Sequence, residues 1–136
     1  FYRVHMAAPF QLNRALAPQL AGNPNASIIH ITDIYIHAPA PQFAAYVATK
    51  AGAHSLAMSF ARELAPAVRV NTIEPGPIVF LDEHGDAWRQ QVLARTPLAR
   101  EGGLEPIWQA VRLLMTNDYM TGASIRVDGG RALAVI

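Results

Sequence analysis

Short β-branched runs alternate with long stretches in which apolar residues recur at helical spacing, and this rhythm predicts an α/β fold. Ser27-Ile-Ile-His-Ile-Thr32 follows the turn-like Gly22-Asn-Pro-Asn25 and reads as a buried strand. Pro39 and Pro41 exclude a helix interior from the stretch after it, so a loop is predicted there. From Phe43 to about Leu64 an alanine-rich helix follows, and Pro66 stops it. Its apolar positions include Val47, Ala53, Leu56, Phe60 and Leu64 and cover more than one face, which predicts cover by a sheet on one side and a second subunit on the other. Val68-Arg-Val-Asn-Thr-Ile73 is the next strand, and Glu74-Pro-Gly-Pro77 turns the chain at its end. Further helices are predicted over Phe1 to Leu20, Ala87 to about Ala94 and Glu105 to Met115, with a third strand at Ser124 to Val127. Strand, helix and strand in this order form a β-α-β unit, and ligands of open parallel sheets bind beyond the strands' carboxyl ends.

Polar chemistry gathers at those ends. Tyr46 and Lys50 are four residues apart on the long helix, so both project from one face. A phenol ordinarily titrates near 10, too high for easy proton exchange at neutral pH. A cation about 5 Å away, at an effective dielectric near 20, favours the phenolate by roughly 3 kcal/mol, or about two pK units. Lys50 is therefore expected to bring Tyr46 into the working range of a general acid. Asp33 closes the first strand thirteen residues before Tyr46. An ionised carboxylate only accepts hydrogen bonds, so beside a carbonyl gaining negative charge it repels, and beside a heterocycle bearing N–H groups it attracts. Aspartate after a strand also caps turns, and that reading stands beside the catalytic one.

Asp33, Tyr46-x-x-x-Lys50, Val70-Asn71, Pro75-Gly76 and the closing Asp128-Gly-Gly130, in this order, resemble the catalytic half of the short-chain dehydrogenase/reductases over essentially the whole chain. Aspartate within His30-Ile-Thr-Asp33, where that family usually carries serine, resembles its pteridine reductases, and Asp82 to Gln91 is similar to the bacterial dihydromonapterin reductases among them. The resemblance implies the C-terminal part of a Rossmann-like doubly wound parallel sheet flanked by helices, with residues 1–136 forming a single partial domain. It implies NADPH-dependent reduction of a dihydropterin (dihydromonapterin, dihydrobiopterin or dihydrofolate type) to the tetrahydro form. In that scheme Asp33, Tyr46 and Lys50 are catalytic, and Tyr46, Lys50, Pro75, Gly76 and Ile78 bind cofactor, with Gly76 allowing close backbone approach to the nicotinamide. Asp33, Tyr46, Phe80 and Trp88 face the pterin.

Several positions depart from the family pattern. Phe80 stands where a threonine usually meets the cofactor amide, and its ring offers a stacking face to a flat pterin instead. His5 replaces an asparagine that helps hold a relay water; histidine donates and accepts, so a substitute role and a structural one are both open. Trp88 is either a substrate contact on a mobile lid or that lid's packing anchor. No glycine-rich phosphate loop occurs in the sequence, nor an early strand carrying the residues that separate NAD from NADP. Three strands alone would leave an apolar edge unpaired, so the chain is expected to be the C-terminal portion of a longer domain.

Composition narrows the partners. At 136 residues and 51% hydrophobic the chain has ample material for a core. Its formal charge of +1, without a basic stripe, argues against nucleic acid, and no apolar run suggests a membrane span. Absence of cysteine excludes a disulfide framework and is consistent with the cytoplasm. Asp82, Glu83, His84 and Asp86 imitate a metal cluster, but consecutive residues point apart and the acids suit a helix start, so no metal is assigned. Relatives pair their alanine-rich helices, which implies a homodimer or homotetramer, and the apolar tail from Ala132 to Ile136 could add a contact. Two other functions remain: a short-chain carbonyl reductase acting on a ketone or acyl substrate, and a non-catalytic assembly module without cofactor. Turnover of dihydropterin against ketones separates the first, and NADPH titration the second.

Overall fold

The computed structural model describes residues 1–134. Three parallel strands, β1 (Ser27–Ile31), β2 (Arg69–Pro75) and β3 (Ser124–Val127), lie in the order β1-β2-β3. Register runs from Ser27 opposite Arg69 to Ile31 opposite Ile73, and from Thr72 opposite Ser124 to Pro75 opposite Val127. The helices are α1 (Ala8–Leu20), α2 (Ala44–Glu63), α3 (Asp86–Ala94) and α4 (Leu104–Thr116). The predicted strands and helices are all present, within two residues at each end except at the amino-terminal helix.

That helix is divided. Arg3–Ala7 forms a wider π-type turn before α1 begins. Pro9 lacks the N–H that an α-helix would place on the carbonyl of His5, so the regular ladder cannot run through this point.

Alternation along β2 builds the core on both faces of the sheet. Val70 packs on one face with Ala57, Phe60 and Ala61 of α2. Ile73 packs on the other with Ala110 and Leu114 of α4. A central strand buried on both sides needs no polar face, which is why Arg69 to Glu74 are all buried. Arg69 and Asn71 are tied to neighbouring backbone. The Arg69 guanidinium donates to the carbonyls of Leu114 (2.7 Å) and Met115 (3.2 Å), at the end of α4 where a cation is favoured. Asn71 donates to the Met120 carbonyl and accepts from the Ala123 N–H, which orients the approach to β3.

The outer edge of β1 pairs with no strand among the described residues, and Ile31 there is 45% exposed. On α2, Val47, Ala53, Ala57, Phe60 and Ala61 are buried, while Ala44, Ala45 and Ala48 are exposed. Within this single chain, therefore, one side of α2 is not covered. Among the described residues no helix is long and apolar enough to cross a membrane. Of the apolar tail, Val135 and Ile136 lie outside the described residues.

Candidate active site

The carboxyl ends of β1 and β2 carry the candidate chemistry. Beyond β1 the backbone stays extended through Asp33, then tightens into a short turn, Ile34–Ile36. The two carboxylate oxygens of Asp33 divide their work. Oδ1 accepts from the Tyr35 N–H at 2.8 Å, capping that turn, and Oδ2 accepts from the Tyr46 hydroxyl at 2.9 Å. Asp33 thus caps the turn and meets the Tyr46 hydroxyl at the same time, because a carboxylate has two acceptors.

Tyr46 sits in the first turns of α2, part-buried, with its phenol turned to Asp33 rather than to solvent. One helical turn on, the Lys50 ammonium donates to the Ile31 carbonyl at 3.1 Å and stands 5.8 Å from the centre of the Tyr46 ring. Asp33 and Tyr46 open onto a cavity of about 670 Å³, whose walls include Pro75, Gly76, Ile78, Phe80 and Trp88. Its size falls in the range of small-molecule sites. In its lining Phe80, His84 and Trp88 form an aromatic cluster, with His84 and Trp88 ring centres 4.5 Å apart and Phe80 and Trp88 5.4 Å apart in an edge-to-face pair. The Leu81 N–H donates to Nδ1 of His84, and Arg89 donates to the Leu81 carbonyl at 2.7 Å, so this segment holds its shape by its own contacts.

Residues 1–132 match the family described as enoyl-(acyl carrier protein) reductase. The chain belongs to the short-chain dehydrogenase/reductase family. It is 41% identical over 133 residues to dihydromonapterin reductase of Klebsiella pneumoniae, covering 96% of this chain and 55% of that protein. Against dihydromonapterin reductase of Escherichia coli O6:K15:H31 the identity is 40% over 134 residues, with the same coverage. Among solved structures, FolM alternative dihydrofolate reductase 1 from Brucella canis, complexed with NADP, superposes with a TM-score of 0.87 at 28% identity, over 96% of this chain and 52% of that one. A small-chain dehydrogenase in complex with NADPH gives 0.88 at 25% identity, over 97% and 62%. The chain spans about half the length of the curated relatives it matches.

Within this short-chain reductase framework, one expectation needs correction. The sequence predicts that Lys50 lowers the Tyr46 pKa, but the structure holds the phenol well above the ordinary tyrosine range. Burial is the main cause, and the Asp33 charge and hydrogen bond add to it; a carboxylate at contact distance outweighs an ammonium committed to a backbone carbonyl. Lys50 itself is lowered by burial, with Asp33 opposing. Gly76 also has a packing role. A Cβ there would meet Cβ of Asp128 at 2.6 Å and its Cα at 2.7 Å, so the packing of the Pro75-Gly76 turn on the closing turn already requires glycine.

Lys50 is not among the residues lining the large cavity; it borders a smaller one of about 230 Å³ with His5, His30 and Ile31. His5 is close to the site all the same. Its Nδ1 is 2.9 Å from the Thr49 hydroxyl and its ring lies edge-on to Tyr46 at 5.5 Å. Burial and then Lys50 lower its pKa, which favours a neutral imidazole. Phe80 and Trp88 both line the cavity and touch each other, so Trp88 packs within the segment and faces the cavity at once. Among the described residues no group of three acidic, histidine or cysteine side chains is placed to hold a metal ion.

Sequence reasoning missed Tyr35, His84 and Arg131 as cavity residues. Tyr35 could have been found from its place two residues after Asp33. Arg131 carries no such signal, since chain reversal at Asp128-Gly-Gly130 delivers it from the far end of the sequence.

Proposed function

We propose that the intact protein is an NADPH-dependent reductase of a dihydropterin, and that these 136 residues are its catalytic and substrate-binding half. The observation that carries this reading is the hydrogen bond of Tyr46 to Asp33, made on the wall of a cavity bordered by the flat rings of Phe80 and Trp88. The names of the relatives, dihydromonapterin reductase and alternative dihydrofolate reductase, support the same substrate class.

The residues present fit a nicotinamide. Pro75, Gly76 and Ile78 give the cavity a wall beside Tyr46, and one of the three Lys50 N–H donors is used on Ile31, leaving two for ribose hydroxyls. When bound, the reduced nicotinamide supplies the hydride. The protein's own part is positioning and the proton. Asp33 accepts an N–H of the heterocycle, and in turning toward it relaxes its hold on the Tyr46 hydroxyl. Tyr46, kept protonated until then, passes its proton, directly or through water, to the ring nitrogen next to the reduced carbon. Lys50 stabilises the phenolate left behind. A carbonyl substrate fits less well, because the same carboxylate would face developing negative charge. A second copy would pack on the exposed alanine face of α2, giving a homodimer or homotetramer, and the reaction belongs to the cytoplasm.

The test is NADPH oxidation by the intact protein with dihydromonapterin, dihydrobiopterin and dihydrofolate, set against a panel of ketones. Turnover of ketones but not of dihydropterins would overturn the proposal.

A further inference from the structure

We infer that Arg131 is a specificity residue of this cavity, donating to the ring carbonyl of the pterin; this rests on the pterin reading above. Arg131 opens the last short turn, Arg131–Ala134, directly after Asp128-Gly129-Gly130. The residue is 7% exposed, yet it lines the same cavity as Asp33 and Tyr46. A guanidinium so placed ordinarily meets a carboxylate, because an unpaired buried cation is costly. Among the described residues none lies within 4.0 Å of it; the Glu74 carboxylate instead faces Arg126 and the ring nitrogens of His37 and His54.

The hydrogen bonds Arg131 does make are long and go to neutral oxygens. One N–H reaches the Val92 carbonyl at 3.4 Å, in the last turn of α3, and another reaches the Tyr35 hydroxyl at 3.5 Å. Nε has no partner. Five donors with two weak acceptors leave the group short of acceptors, and a ligand in the cavity that Arg131 lines would supply them. A guanidinium presents two neighbouring N–H groups, and both can donate to the lone pairs of a single carbonyl oxygen.

A pterin presents both kinds of edge. Its N–H groups suit Asp33, which accepts only, and its carbonyl oxygen suits Arg131, which donates only. The Tyr35 hydroxyl bonded to Arg131 and the Tyr35 N–H bonded to Asp33 belong to one residue, so both recognition groups are tied to the same short turn.

The experiment compares R131M and R131K with wild type in the intact protein, using dihydromonapterin and the same dihydropteridine lacking the ring carbonyl. Wild type should prefer the carbonyl-bearing substrate, by kcat/KM, about tenfold or more. R131M should abolish that preference by raising KM for dihydromonapterin, with KM for NADPH unchanged. R131K, which keeps the charge but not the fork, should fall between them, and it carries the test if R131M does not fold. An equal loss on both substrates, or a rise in KM for NADPH in place of the pterin, would overturn the inference and leave Arg131 a structural tie or a cofactor contact. Failure of wild type to reduce any dihydropterin would sink the pterin reading and this one together.

Discussion

Replacing Asp33 tests the proposed chemistry most directly. In D33N the carboxamide keeps an oxygen for the Tyr35 N–H at 2.8 Å, so the turn Ile34–Ile36 should survive. What is lost is the charge that accepts from Tyr46 at 2.9 Å and, by the proposal, from the pterin. The site is part-buried, so the stability cost should stay near that of one net hydrogen bond, about 1 kcal/mol. A charge-assisted bond to a substrate N–H contributes about 1.5–3 kcal/mol. Its loss should lower kcat/KM for dihydromonapterin by roughly 10- to 150-fold. D33S goes further by restoring a donor that suits a carbonyl; it should lose pterin turnover to a similar extent while ketone reduction rises. The assay is NADPH oxidation under initial-rate conditions, with thermal melting to verify folding. If D33S reduces dihydromonapterin within about twofold of wild type, the assignment of Asp33 to the pterin is wrong, whatever the ketone result.

Ultraviolet titration of the phenols should find Tyr46 ionising well above the usual value near 10, and D33N should bring it down because the carboxylate is one of its causes. An unchanged titration in D33N would mean that the hydrogen bond is not formed in solution. G76A should destabilise the fold by about 1–3 kcal/mol through the clash with Asp128, read as a lower urea midpoint at constant slope. His30 is held below its ordinary pKa by burial and bonds to Asn13 at 2.9 Å. Above about pH 6.5 both states are neutral there; as pH falls the unfolded chain takes the proton first, so stability drops from that pH down to the folded pKa. H30Q should flatten this acid-side decline in urea titrations at several pH values, and an unaltered slope would remove His30 as its source.

Local pattern carried most of the architecture. The β-branched run at Ile28 to Ile31, the alanine helix ended before Pro66 and the apolar alternation of β2 are decided by backbone preference and by which faces must be buried, and all of these act between near neighbours. Spacing placed Tyr46 and Lys50 on one face and put Asp33 at a strand end. What spacing could not decide was the sign of the interaction. A distance of four residues does not say whether the ammonium points to the phenol or to the Ile31 carbonyl, nor that Asp33 reaches the phenol first. The tertiary structure settled that, because burial and contact distance govern the electrostatics. It alone also explained Gly76 by Asp128 and brought Arg131 beside Tyr35, 96 residues away in sequence. Such contacts arise only when the parallel strands bring their carboxyl ends together, and nothing within a few residues of Arg131 records it.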